Sequence, residues 1–257
     1  MSARVAALLF AVLAPASASA VPTRPALALT ASPAHVALVG AAHQVIRLAN
    51  RGTEPVVVDA APAGFTLGPH GAPRILLRGA LARRAASWLR IRPARLLLPG
   101  GASAELRLAS APPRDATPGD RAALVLLTTR PSVGAAVAVR MRIGITVVVR
   151  VPGRTRHALV LRGLHVRRVG DIRVLRLVIA NAGNVVESLR RGGVQLQLIA
   201  GKRVVASLRS PARELLPHGT GVVDLPYRGG VRGYLTARVS VTPRTGPAVN
   251  RTFRLRL

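Results

Sequence analysis

Residues 137–151 read VAVRMRIGITVVVRV, and this stretch decides the fold. Every odd-numbered position in it is apolar, eight in succession, whereas arginine occupies three of the even positions. A period of two sustained over this length predicts a long strand with one buried face. A helix would place Arg140, Ile143 and Val147 along one face, so the helical interpretation fails.

Shorter segments with strand character lie on both sides of this stretch, and turn residues separate nearly all of them. Residues 43–50 and 55–60 are predicted to form a hairpin around Asn50-Arg51-Gly52-Thr53. Only residues 79–88 favour a helix, and there we expect at most one short helical turn. Further strands are predicted at residues 102–110, 121–129, 172–181, 194–200, 203–209, 221–226 and 233–242.

Two turn motifs occur twice in the same order. An apolar strand ends in Asn-x-Gly at residues 46–52 and again at 177–183, and Leu-Leu-Pro-x-Gly follows at 97–101 and at 215–219. Ordered repeats of this kind indicate two diverged copies of one domain, and the chain is long enough for two domains of about 100 residues. The predicted fold class is therefore all-β, with two tandem immunoglobulin-like antiparallel β-sandwiches, at residues 21–153 and 154–257.

The first twenty residues have the features of a signal peptide. One basic residue, Arg4, precedes an apolar run and a small-x-small site that ends at Ala20. Cleavage there leaves 37 basic and 9 acidic residues, a net charge of +28. No later stretch reaches the 18 or so apolar residues of a membrane span. We expect an exported protein that is extracellular, attached to the cell surface or periplasmic, with residues 1–20 removed.

Composition limits the kind of chemistry available. There is no cysteine, so disulfides, thiolate metal sites and a cysteine nucleophile are excluded. Aromatic residues make up only 2% of the chain, which predicts cores of Val, Leu, Ile and Ala. The strongly basic charge favours an anionic partner. Since all basic residues but Lys202 are arginine, genome composition explains the same bias.

No arrangement of residues indicates an enzyme or a metal site. The nine acids are scattered over predicted turns and strand ends, and no Gly-x-Ser-x-Gly motif is present. The six histidines show neither H-x-x-x-H nor H-E-x-x-H spacing. We therefore expect a binding protein rather than an enzyme, with no cofactor and no metal.

Five residues are candidates for binding an anion or a wall polymer: Trp88, Arg90, Arg92, Arg140 and Arg142. The arginines alternate along predicted strands, a spacing that is also typical of solvated strand faces. Nucleic acid is not the expected partner, because single-strand binding needs stacked aromatic side chains.

The first half of the chain resembles the immunoglobulin-like domain of bacterial cell-surface WxL-interacting proteins. The resemblance lies in Ser32-Pro33-Ala34-His35-Val36, residues 50–53, residues 88–93, residues 98–103 and the segment 111–120. It implies a secreted protein that binds cell-wall polymer or another surface protein.

The two-domain layout and the basic charge are also similar to those of periplasmic pilus chaperones, which lend a long alternating strand to a subunit. In that alternative the donated strand is Val137 to Val149. The basic residues of the chaperones' cleft have no match here by position.

Overall fold

The chain is all-β. The computed structural model describes residues 25–76, 85–130 and 140–257, with 63% of the chain in strands and 1% in helix. The predicted fold class is confirmed. The predicted signal peptide, most of the segment favouring a helix and residues Val137 to Val139 lie outside the described residues. Within them, no helix is long and apolar enough to cross a membrane.

The first half forms a sandwich of two sheets, one in the order β1-β3-β8-β6 and the other β2-β10-β9-β4-β5, with β7 also paired to β4. A short 3-10 helix at Ala86–Trp88 precedes β6. The strands are β1 (Leu29–Ser32), β2 (His35–Val39), β3 (Ala42–Asn50), β4 (Val56–Leu67), β5 (Pro73–Leu76), β6 (Leu89–Arg92), β7 (Arg95–Leu98), β8 (Ser103–Ser110), β9 (Gly119–Thr129) and β10 (Arg142–Val151).

The second half forms sheets in the orders β11-β12-β17, β15-β14-β18-β19 and β13-β16. Its strands are β11 (Leu159–Val169), β12 (Ile172–Asn181), β13 (Glu187–Leu189), β14 (Val194–Ala200), β15 (Arg203–Arg209), β16 (Arg213–Leu215), β17 (Thr220–Tyr227), β18 (Tyr234–Val241) and β19 (Val249–Arg256). All described strand pairs are antiparallel except β2 with β10.

Strand alternation places the apolar residues in two separate cores. In β10, Ile145, Val147 and Val149 are fully buried, as the period of two predicts. The first core runs from Leu29 to Val149 and is aliphatic, while the second runs from Leu159 to Leu255. The two cores share no residue. The exact domain boundary, between residues 153 and 154, stays a prediction.

The repeated motifs meet at a buried asparagine in each half. Asn50 donates from Nδ2 to the carbonyl oxygens of Glu54 at 2.7 Å and Leu98 at 3.1 Å. Asn181 donates in the same way to Val185 at 2.7 Å and Leu215 at 3.1 Å. The Asn-x-Gly and Leu-Leu-Pro motifs of each half are therefore joined by one side chain.

A glycine completes each of these corners. The N–H of Gly52 donates to Asn50 Oδ1 at 3.0 Å, and the N–H of Gly183 donates to Asn181 Oδ1 at 2.9 Å. A Cβ on either glycine would collide with a backbone carbonyl of the preceding chain segment. The close approach of two backbones explains why only glycine fits.

The predicted hairpin around Asn50 is wrong. The strand that ends at Asn50, β3, pairs with β1 and β8, whereas β4 pairs with β5, β7 and β9 in the other sheet. Residues 51–55 therefore cross from one sheet to the other. The sequence identifies the turn residues correctly, but they form a corner between the two sheets and not a hairpin loop. The Asn50 side chain holds this corner by binding the Leu98 carbonyl.

Candidate binding edge and domain junction

One edge of β10 is free over part of its length. β9 pairs with β10 from Arg142 to Val151, whereas β2 covers the other edge only from Thr146 to Arg150. Among the described residues, no strand pairs with that second edge between Arg142 and Ile145. The long strand identified in the sequence is thus half covered and half open.

Two hydrogen bonds fix which backbone groups face the open edge. The N–H of Thr146 donates to the Ala34 carbonyl at 3.1 Å, and the Arg150 carbonyl accepts from Gly40 N–H at 2.8 Å. Even-numbered residues of β10 therefore direct their backbone groups toward β2. By the same alternation, Arg142 and Gly144 present theirs at the open edge, available to an added strand.

Side chains along the open segment leave room for a partner. Ile145 is buried, and Met141 and Ile143 are half-buried against the first core. On the opposite face, Arg142 and Gly144 are exposed. A Cβ on Gly144 would meet only Leu124 side-chain carbons at 3.7 Å, so packing does not require glycine there. A strand glycine of this kind often marks the close approach of another backbone.

The covered end of β10 forms the junction between the two halves. Arg150 donates to Asp120 through Nε at 2.7 Å and Nη2 at 2.8 Å, and this contact raises the pKa of Arg150. The Asp120 side chain is 1% exposed. Its Oδ2 also accepts from the N–H of Val186, in the second half, at 2.8 Å. One carboxylate therefore ties β9, β10 and the second half together.

Asn184 forms a second tie across this junction. Its Nδ2 donates to the carbonyls of Pro118 at 3.1 Å and Arg154 at 2.9 Å, and its Oδ1 accepts from Arg156 N–H at 2.7 Å. The Asn184 carbonyl also accepts from the N–H of Asp120 at 2.8 Å. These bonds hold the connecting segment against both halves, so the end of β10 is rigidly placed.

A buried carboxyl lies beside this junction. Glu187 is fully buried, and its Oε1 is 2.9 Å from Nδ1 of His157. Burial raises the pKa of Glu187 above its ordinary value of 4.5; the hydrogen bond to His157 opposes this rise, and the charge of Asp120 adds to it. Because the folded-state pKa is raised, the stability that Glu187 contributes is fully present below about pH 4.5 and is lost as the pH rises through the folded-state pKa.

His157→Ala is expected to raise the pKa of Glu187 further, because it removes the contact that favours the carboxylate. A carboxyl ¹³C NMR titration of both proteins measures the effect directly. His165→Ala, at a histidine on the neighbouring β11, is the control and should leave the Glu187 titration unchanged. A Glu187 pKa that falls in His157→Ala would contradict the assignment.

The five candidate residues from the sequence do not form one patch. Arg90 and Arg92 are exposed on β6, next to Trp88, which packs partly against the first core. Arg142 is exposed at the start of β10, in the other sheet, and Arg140 is exposed two positions before that strand begins. The structure therefore divides them between two sheets. Their role in binding an anion stays a prediction.

Asp120 and Asn184 were not singled out from the sequence as junction residues. Asp120 follows Pro118-Gly119 and is one of the nine acids that the sequence analysis assigns to turns and strand ends. Its Val186 partner lies 66 positions further along the chain, which no local pattern reveals. The signal present in the sequence is the glycine at position 119. In the structure its φ is +123°, and a Cβ there would collide with the Asn184 carbonyl.

Among solved structures, the fold is similar to the class 5 fimbriae chaperone CfaA, with a TM-score of 0.50 and 12% identity over 88% of this chain and 98% of that one. A chain of a chaperone and tip-adhesin complex of CFA/I fimbriae matches with a TM-score of 0.51 and 12% identity, over 88% and 98% of the two chains. No protein-family model and no curated protein sequence matches. At this identity the likeness shows the fold.

The resemblance to WxL-interacting proteins is wrong. The solved structures that match along nearly the whole chain are fimbrial chaperones. The residues that carried the resemblance lie in turns and at strand ends, such as the Asn50 corner, and sandwiches of different families share these features.

Proposed function

We propose that this chain is a periplasmic, non-enzymatic chaperone that holds a pilus-type subunit by pairing one strand of the subunit with the open edge of β10. The observation that carries the proposal is that, on the edge of β10 facing β2, no described strand pairs with the backbone groups of Arg142 and Gly144. Strand addition to an exposed sheet edge supplies main-chain hydrogen bonds, and alternate side chains supply specificity.

The residues around the edge support this mode of binding. Met141 and Ile143 lie on the inward side of the strand yet stay half-buried, so they have apolar surface left to offer a partner. The predicted signal peptide would deliver the protein to the periplasm, the compartment through which pilus-type subunits are exported.

The fold likeness agrees with this proposal. One similar structure is a fimbriae chaperone, and another is a complex between a chaperone and a tip adhesin. A protein subunit is therefore favoured over wall polymer as the partner. The rigid junction at Asp120 would position the second half relative to the open edge, so that both halves contact the bound subunit.

Gly144→Pro tests the proposal. It removes an outward-facing N–H without breaking a bond to β9, and proline is tolerated at strand edges. The mature protein would be co-expressed in the periplasm with each exported, strand-rich protein encoded beside its gene, and complexes isolated by affinity and size-exclusion chromatography. We expect a one-to-one complex whose affinity falls about tenfold or more in Gly144→Pro.

Gly144→Ala is the matched control, because its Cβ has room and its N–H is retained. It should bind the subunit as the wild type does. Hydrogen exchange of the complex should show protection of the Arg142 and Gly144 amides, which have no strand partner on the edge facing β2 among the described residues. A complex that forms equally well with Gly144→Pro, or that leaves these amides unprotected, would exclude strand addition at this edge.

A further inference from the structure

A small cavity lies between the two halves, away from the open edge of β10. On one side are the end of β4 and the turn at residues 68–71, and on the other are β16 and the start of β17. Its volume is about 100 Å³, enough for a few water molecules or one small oxyanion. A hydrogen bond of 2.7 Å from Val222 N–H to the Pro69 carbonyl holds the two walls together.

Of the residues that the structure describes, Arg213 is the only cationic one that lines this cavity. It shares a face of β16 with Leu215, which is 3% exposed and belongs to the second core. Glu214 is the only acidic residue in the lining, and strand alternation directs its side chain to the opposite face. The Arg213 guanidinium lies over Gly71, where it occupies the position that a Cβ would take.

The Nε–H of Arg213 lacks a hydrogen-bond acceptor among the described residues. Its Nε is buried, and within residues 25–76, 85–130 and 140–257 no acceptor reaches it. Burial lowers the pKa of Arg213, an effect opposed only by the charge of Asp224. Asp224 already accepts two hydrogen bonds from Arg176, at 2.9 and 3.1 Å. Arg213 is half-buried, and a buried N–H without an acceptor is unfavourable, so the site favours an added anion.

We propose that this cavity binds one small oxyanion, a carboxylate or phosphate group, through the guanidinium of Arg213. Guanidinium groups suit such anions because their planar N–H groups match two oxygens at once. Since both halves of the chain line the cavity, a bound anion also fastens the second half to the turn after β4. The site is separate from the edge of β10, so the proposal stands independently of the chaperone function.

Thermal unfolding in phosphate or acetate, with chloride adjusted to hold ionic strength constant, tests the site. The wild-type midpoint should rise saturably with at least one of the two anions, and the one with the larger effect identifies the group bound. At five times the dissociation constant, the expected rise is about 2–4 °C. In Arg213→Gln the response should vanish, while the midpoint in chloride alone stays level or rises, because the buried Nε–H that lacks an acceptor is removed.

Arg203→Gln is the control, since it removes the same charge from an exposed position on β15 and should keep the wild-type response. Arg213→Lys provides a second variant that retains the charge but lacks the buried Nε–H; most of the response should be lost. An equal response in wild type and both Arg213 variants would show surface binding only. That result, or no response of the wild type to either anion, would overturn the proposal.

Discussion

Asp120→Ala is expected to lower the free energy of unfolding by about 3 kcal/mol. Removing one partner of a buried ion pair typically costs about 3–5 kcal/mol. The lower end applies here because the Arg150 side chain is 45% exposed and can return to water. The N–H of Val186, which donates to Asp120 at 2.8 Å, also loses its acceptor.

Urea unfolding followed by circular dichroism measures this effect. Asp115→Ala removes the same kind of side chain from an exposed position nearby and should change stability by less than about 0.5 kcal/mol. Asp120→Asn should fall between the two, because it keeps an acceptor for Val186 but loses the charge. Equal stability of the two alanine variants would show that the carboxylate does not hold the junction.

Losing the Asp120 carboxylate should first weaken the contact between the two halves of the chain. Asp120 reaches across from β9 to the second half, whereas neither hydrophobic core contains it. We therefore expect the unfolding transition of Asp120→Ala to broaden, as the two cores begin to unfold at different urea concentrations. A subunit that contacts both halves would then bind less tightly, even with the edge of β10 intact.

The fold class was predictable because alternation is a local property. Residues 142–151 form a strand, as the period of two predicts. Its odd-numbered residues Ile145, Val147, Val149 and Val151 are buried, and the even-numbered Val148 is buried as well. Which strands pair with one another was harder to predict from the sequence. Asn50 suits a turn both in a hairpin loop and in a corner between two sheets. Only its hydrogen bonds to the carbonyls of Leu98 and Glu54 show that the chain passes from one sheet to the other here.

The candidate site was predictable in position but not in extent. The sequence identified the strand that has a free edge, but which part is free depends on where β2, 111 positions earlier in the chain, stops covering it. The Asp120 junction likewise needs a partner from the second half. Spacing alone also placed Arg92 and Arg142 in one group, although they belong to different sheets.

The strongest local determinant in the second half is the corner at Asn181. Asn181→Ala is expected to lower the free energy of unfolding by about 2–4 kcal/mol. The change leaves the buried carbonyls of Val185 and Leu215 without their donor and the Gly183 N–H without its acceptor. Each unsatisfied buried group costs about 1–3 kcal/mol, and partial access to water lowers the sum.

Asn50→Ala should have an effect of similar size in the first half, because the repeated motifs build the same corner there. Denaturant unfolding gives the free energies, and hydrogen exchange assigns each one to its core. Asn181→Ala should lose protection at Gly183, and Asn50→Ala at Gly52, with little change in the other half. Asn250→Ala, at an exposed position on β19, is the control.

The two corners also test whether the halves are energetically separate. They belong to cores that share no residue, so the effects of Asn50→Ala and Asn181→Ala should add to within about 0.5 kcal/mol in the double variant. A larger departure would mean that the Asp120 junction transmits strain between the corners, and combining both changes with Asp120→Ala should then restore additivity. If Asn181→Ala costs no more than Asn250→Ala, the shared corner does not determine the fold.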